Sequence, residues 1–340
     1  MRQDDLLLPT GKLPADLLDD LLRAYGGHDP RLVVGPRTGE DAAVIDFGDR
    51  YLLAKTDPIT FATDEIGWYA VNVNANDIGA MGGQPRWFLA TLLLPAGLAT
   101  ADMARTIFGQ LYAACSDLNI SLAGGHTEVT YGLDRPLIAG MMLGEVARDR
   151  LVTKAGTRPG DAVVLIKSIP IEGAALIARE KRGDLISRGY SVEWLDRVAG
   201  FLHSPGISVL KPALLAHEVA EVHAMHDPTE GGLATGLLEV ARAAEVGLEI
   251  DLDAIPILPE GERLCAEFGL DPLGTIASGA LIVTLPPDQV AALRRAMETA
   301  GYPVSLIGRV LEADAGVWAT RHGERGTLPR FAVDEIARLF

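Results

Sequence analysis

Four aspartates of this 340-residue chain each sit in a short motif marked by glycine or asparagine. The motifs are Gly39-Glu40-Asp41-Ala42-Ala43, Lys55-Thr56-Asp57-Pro58, Asn74-Ala75-Asn76-Asp77-Ile78 and His226-Asp227-Pro228-Thr229-Glu230-Gly231-Gly232. The first three adjoin or interrupt apolar runs. Carboxylates gathered in one place repel each other by roughly 4 kcal/mol per close pair at an effective dielectric of about 20. A fold that gathers them needs a cation among them. Magnesium on a polyphosphate meets that need, because Mg²⁺ prefers carboxylate and phosphate oxygens.

Asp77 makes the case most sharply. Residues 64–81 predict a helix with an apolar stripe of Ile66, Tyr69, Ala70, Val73, Ala80 and Met81, and position 77 completes that stripe with a carboxylate. An ionised carboxylate on a buried face is costly unless paired or metal-bound. Asn72, Asn74 and Asn76 are poor helix formers, so three within five residues calls for a reason. Alone, Asp77 reads equally as a paired or capping carboxylate; beside Asp41 and Asp57 it reads as a ligand. Asp41 precedes one predicted strand and Asp57 follows the next, with a hairpin at Phe47-Gly48-Asp49 between them. Hairpin ends share an edge, although turn aspartates are common for other reasons. Thr56 adds a hydroxyl for a phosphate or a metal.

Gly124-Gly125-His126-Thr127-Glu128 follows a strand predicted over 120–123. Two glycines let the backbone approach a ligand and offer N–H groups to phosphate oxygens. An ordinary turn has the same look, and His126 alone reads as a surface histidine. Gly231-Gly232 opens a predicted helix, where a phosphate can lie against the helix start. Asp227 there either holds a cation or caps the helix. Lys12 follows Gly11 in an N-terminal arm, and reads as a solvated lysine or as a point charge folding over a triphosphate. The chain has no Walker A, Rossmann or protein-kinase signature.

The net charge of −16 argues against nucleic-acid and anionic-membrane partners. Met-Arg-Gln-Asp-Asp at the N-terminus is no signal peptide and no apolar run reaches membrane length, so a cytoplasmic protein is expected. Cys115 and Cys265 belong to no CxxC pair and read as small buried hydrophobes. Turn formers crowd residues 155–161, which places a boundary between domains 1–154 and 155–340. Strands and helices alternate irregularly, several strands being expected antiparallel. That predicts α/β plus α+β domains and not a doubly wound sheet.

In order along the chain, these motifs resemble the superfamily of aminoimidazole-ribonucleotide synthetase (PurM), the hydrogenase maturation factor HypE, thiamine-monophosphate kinase and selenophosphate synthetase. The pieces that carry the resemblance are Gly39 to Ala43, Thr56-Asp57, Asn76-Asp77-Ile78-Gly79-Ala80-Met81-Gly82-Gly83-Gln84-Pro85, Gly124 to Thr127 and Asp227 to Gly232. Asp227-Pro228-Thr229 before Gly231-Gly232-Leu233-Ala234 is most similar to the HypE branch. The resemblance implies a PurM-like two-domain fold whose N-terminal half-barrel sheet closes into a barrel with a second copy. It implies ATP and Mg²⁺ as cofactors. Asp41, Asp57, Asp77 and Asp227 become metal ligands, and Asp57, Asp77 and Lys12 the catalytic set. Lys12, Thr56, Asn76, Gly124, Gly125, His126, Thr127, Gly231 and Gly232 would line the nucleotide. The implied reaction is phosphoryl transfer from ATP to an oxygen of a small molecule or a protein tail. A kinase like thiamine-monophosphate kinase, or a nucleotide-binding maturation partner without turnover, stands beside it. Two departures bear on the acceptor. HypE carries its substrate on a C-terminal cysteine, whereas this sequence ends Glu335-Ile336-Ala337-Arg338-Leu339-Phe340. His126 follows the glycine pair as in selenophosphate synthetase, but that enzyme's reactive N-terminal cysteine has no counterpart.

Overall fold

The structure is a computed structural model that describes residue 8, residues 10–27 and residues 29–340. Its first sheet runs β1 (Leu32–Val34), β2 (Ala43–Asp46), β3 (Arg50–Ile59), β4 (Gln84–Pro95), β5 (Ser121–Thr130) and β6 (Leu137–Ala147), in spatial order β1-β2-β3-β6-β4-β5. All neighbours are antiparallel except the β4–β5 pair. The helices of this half are α1 (Ala15–Tyr25), α2 (Ile66–Ala80) and α3 (Ala101–Asp117). The second sheet holds β7 (Ala162–Ile166), β8 (Ala224–His226), β9 (Gly247–Asp251), β10 (Leu281–Leu285), β11 (Val304–Leu311), β12 (Val317–Arg321) and β13 (Glu324–Thr327). Its order is β13-β12-β9-β11-β7-β10-β8. The remaining helices are α4 (Ile171–Glu180), α5 (Arg182–Ser187), α6 (Val192–Ala199), α7 (Leu210–Val219), α8 (Gly232–Ala244), α9 (Pro259–Phe268) and α10 (Val290–Thr299). The mixed, largely antiparallel sheets give the two-domain α/β character expected from the irregular alternation.

The second sheet is a filling between helices. All five residues of β7 are buried. Val163 and Leu165 pack with Leu233 and Leu237 of α8, while Val164 and Ile166 pack with Ala213 of α7 and Leu293 of α10. A strand covered on both faces carries a continuous apolar run instead of alternation.

Helix α2 corrects the amphipathic reading. Every residue but Trp68 is buried, because one side lies on β3 and β6 while others face α3 and α7. A helix covered all round has no polar face, so the asparagines and Asp77 are interior groups needing specific partners. Two local expectations also fail. Asp57 lies inside β3, not beyond its end, and β5 runs on through Gly124 and Gly125 to Thr130.

Candidate functional site

Strand alternation puts Lys55 and Asp57 on one face of β3 and Thr56 on the other. Helix α2 crosses the first face. The Asp57 N–H donates to Asn74 Oδ1 at 2.9 Å, and Asn74 Nδ2 donates back to the Asp57 carbonyl at 3.3 Å and to Ala70 O at 2.8 Å. Asn74 therefore fixes the backbone that carries Asp57, which explains one asparagine. Asn76 explains another. Its Nδ2 donates to Ile207 O at 2.9 Å and its Oδ1 accepts from the Val209 N–H at 2.7 Å, joining α2 to the 207–209 segment of the second half. Asn72 donates to Trp68 O at 3.0 Å, within the helix.

The side chains in front of this frame carry charge. The Lys55 ammonium lies 3.3 Å from Asp57 Oδ2 and 3.4 Å from Asp77 Oδ2. Burial works against the Lys55 charge, but Asp77, Asp57 and Asp41 overcome it and hold its pKa above the ordinary lysine value. Among the described residues Asp77 Oδ2 has no hydrogen bond beside this ion contact. Burial, with the carboxylates of Asp57 and Asp41 adding, holds the Asp77 pKa above the usual carboxylate range against the pull of Lys55. Asp227, just beyond β8, has both carboxylate oxygens buried, with no hydrogen bond among the described residues. Burial and then the neighbouring Asp77 raise its pKa well above the ordinary value.

Asp41 is held differently. Lys154 closes on Oδ2, and His226 Nδ1 meets Oδ1 at 2.9 Å. His226 Nε2 contacts Glu239 Oε2 at 2.9 Å, and Lys12 Nζ lies 3.2 Å from Glu239 Oε1. Burial and Lys154 disfavour a charged His226, yet Asp41 and Glu239 outweigh them and raise its pKa above 6.5. With a carboxylate on each ring nitrogen, the protonated ring donates to both. Burial also works against the Asp41 charge, but Lys154 and His226 prevail and keep its pKa below the usual carboxylate range. The cations expected to offset the acidic cluster thus include two lysines and a histidine of the chain itself. Lys55, Lys154, His226 and Glu239 were not singled out for this role. Only Lys55 had a sequence signal, its two-residue spacing from Asp57 on a strand.

The fold gathers Asp41, Asp57, Asp77 and Asp227 with Asn76, but not the whole expected set. Asp57, Gly140, Ala90 and Gly125 form one row across the sheet. Gly125 is three strands from Asp57, or roughly 14 Å at the usual strand spacing. Gly124, Gly125, His126 and Thr127 are exposed on the edge strand, and His126 Nε2 is 3.1 Å from Glu128 Oε2. Gly125 has a steric reason, since a Cβ there would overlap the Ala90 carbonyl where the β4–β5 register shifts. Thr56, on the opposite face, donates to Gly140 O at 2.7 Å. Gly231 and Gly232, at φ 84° and 67°, do not offer free N–H groups. The first donates to Asp334 Oδ2 at 2.6 Å and the second to Thr229 O at 3.1 Å. Lys12 rests on Glu239, beside the Asp41 branch of the cluster.

One further carboxyl lies nearby. Glu172, in the first turn of α4, has Oε2 buried, with no hydrogen bond among the described residues. Burial pushes its pKa up to about 7, and the carboxyls of Asp334 and Glu230 add to the rise.

The oxygen donors suit a hard divalent ion. Among the described residues no group of three or more His, Cys, Asp and Glu is preassembled to hold one. Magnesium characteristically takes one or two carboxylates with phosphate oxygens instead of an all-protein cage. The unpartnered Asp227 oxygens and the hydrogen-bond-free Asp77 Oδ2 fit that manner of binding. No helix among the described residues is long and apolar enough to cross a membrane.

Two family models match the chain: the N-terminal domain of AIR synthase related protein over residues 39–146 and its C-terminal domain over residues 158–318. The chain is 31% identical over 317 residues to the carbamoyl dehydratase HypE of Cupriavidus necator, covering 89% of this chain and 84% of the relative. It is 31% identical over 273 residues to the selenide, water dikinase of Geobacter metallireducens, covering 77% and 73%. A crystal structure of hydrogenase maturation protein HypE in complex with ATP matches with a TM-score of 0.70 at 24% identity, covering 95% of this chain and 96% of that one.

Proposed function

The chain belongs to the AIR synthase related protein family, with its PurM-like two-domain fold, and from that premise we propose a magnesium-dependent enzyme that transfers a phosphoryl group from ATP to an oxygen of its acceptor. The observation that carries this reading is that Asp57 and Asp77 lie on one ammonium and that Asp227 neighbours Asp77, its carboxylate oxygens buried. Asp57, Asp77 and Asp227 would hold the ion, while Asn74 and Asn76 fix the backbone around them. Bound there, Mg²⁺ supplies positive charge against the charge developing on the transferred group. The protein's own part is positioning and charge neutralisation, with no dedicated base required. Residues 1–154 would carry the nucleotide, and residues 155–340 the acceptor side.

The dimer belongs to the same proposal. Among the described residues strand β5 ends the sheet with one edge unpaired, and Trp87, Phe108, Tyr112, Val129, Tyr131 and Met141 expose apolar surface in this half of the molecule. A second copy closing a barrel on that edge would take Gly124 to Thr127 into the interface. Lys12 would then leave Glu239 for the phosphates.

Asp57→Asn and Asp77→Asn test the reading. Each is expected to lower magnesium-dependent ADP release from ATP by about a hundredfold or more. Turnover unchanged in both variants would remove the assigned site.

A further inference from the structure

Lys55 stands where the proposed function needs a metal. Its ammonium touches Asp57 on its own strand and Asp77 on α2, the two carboxylates that reading assigns to the ion. Neither carboxylate is free to retreat. Asn74 clamps the backbone of Asp57 on both its N–H and its carbonyl, and Asp77 lies in a helix buried on all sides. The lysine is the movable member. Its side chain keeps 18% of its surface accessible and Asp57 keeps 29%, whereas Lys154 on Asp41 keeps 1%. A flexible four-carbon stem lets an ammonium swing from a carboxylate to a phosphate without loss of charge pairing. A divalent ion and an ammonium repel each other at such distances, so they cannot share these two oxygens.

We propose that Lys55 is a resident cation that makes metal entry conditional on nucleotide. Without ATP it occupies the Asp57–Asp77 position; an arriving triphosphate draws it away and brings the divalent ion in. This rests on the magnesium–ATP reading above and adds to it a residue and an order of binding. By linkage, nucleotide must raise metal affinity by the same factor that metal raises nucleotide affinity. Part of that coupling is assigned to this one side chain.

Manganese(II), followed by electron paramagnetic resonance, tests it on the full chain. Without nucleotide, the wild-type protein is expected to bind Mn²⁺ only at millimolar concentrations. Lys55→Met should bind it about tenfold tighter or more, and Lys55→Arg like wild type, because the like charge competing for the site is removed in the first and kept in the second. With the non-hydrolysable analogue AMPPCP added, wild type should take up the ion and the difference between the two proteins should narrow. Lys55→Met binding nucleotide-free Mn²⁺ no tighter than wild type overturns the proposal. So does micromolar Mn²⁺ binding by wild type without nucleotide, an outcome readable even if Lys55→Met does not fold. Where both proteins bind the Mn²⁺–AMPPCP complex but do not differ without nucleotide, only the role of Lys55 falls. Where neither binds that complex, the magnesium–ATP reading falls and takes this proposal with it.

Discussion

The Asp41 and Asp57 branches of the acidic cluster use the same residue type and are held in opposite ways. Asp41 is sealed, with Lys154 and His226 both buried against it and Glu239 closing the far side of the ring. Asp57 meets Lys55 where water reaches both side chains, and the same ammonium must serve Asp77. A buried pair cannot lose one partner cheaply, because the other is left as an uncompensated charge. A water-reached pair can exchange its cation. The sealed branch fastens β8 of the second sheet to the residues just before β2 in the first. The open branch is where the proposed ion would enter.

The largest expected effect lies on the sealed side. Lys154→Met should cost about 3–5 kcal/mol of unfolding free energy, read by urea denaturation, because it strands a buried carboxylate. Lys55→Met should cost less than half as much, on the order of 1–2 kcal/mol, its partners being reached by water or able to take up a proton. Equal losses would erase the distinction between the two branches.

Glu172 sharpens the comparison, because it is sealed without any cation paired to it. The folded protein holds its proton up to about 7, whereas the unfolded chain releases it near the ordinary value of 4.5. Between those values the folded state binds more protons, so stability falls as pH rises through the interval. The contribution reaches about 3 kcal/mol at most. Urea midpoints for wild type and Glu172→Gln, compared at pH 5 and pH 8, should show a smaller decline in the variant than in wild type, since the raised carboxyls of Asp77, Asp227 and Asp334 contribute to both. Parallel declines would mean that another group is responsible. The smallest effect is expected at Lys12, half exposed on Glu239. Lys12→Ala should change stability by less than about 1 kcal/mol. A larger loss would place the N-terminal arm in the sealed network.

Several elements were legible because local chemistry dictates them. The β2–β3 hairpin around Gly48, the helix from Gly232 to Ala244 and the buried run of β7 stand where turn residues, helix start and apolar composition put them. Helices α9 and α10 and the edge strand β13 were not legible, because their residues are polar enough to pass for loops, and β1 was not legible because its three apolar residues are too short a run to signal a strand. Gly124-Gly125 misled because a glycine pair serves a tight turn and a close strand contact equally well. Which it serves depends on Ala90, a residue more than thirty positions away.

For the site, the sequence alone determined that the aspartates needed a shared counter-charge. Aspartates set in apolar or glycine-marked segments cannot be buried unless something shared offsets their charge, and that holds before any fold is known. Only the tertiary structure decided what does the offsetting. Lysines are abundant and mostly solvated, so nothing local distinguishes Lys55 or Lys154 from the rest. Their role follows from the packing that brings Lys55 of β3 to Asp77 of α2 and Lys154, just before β7, to Asp41, just before β2.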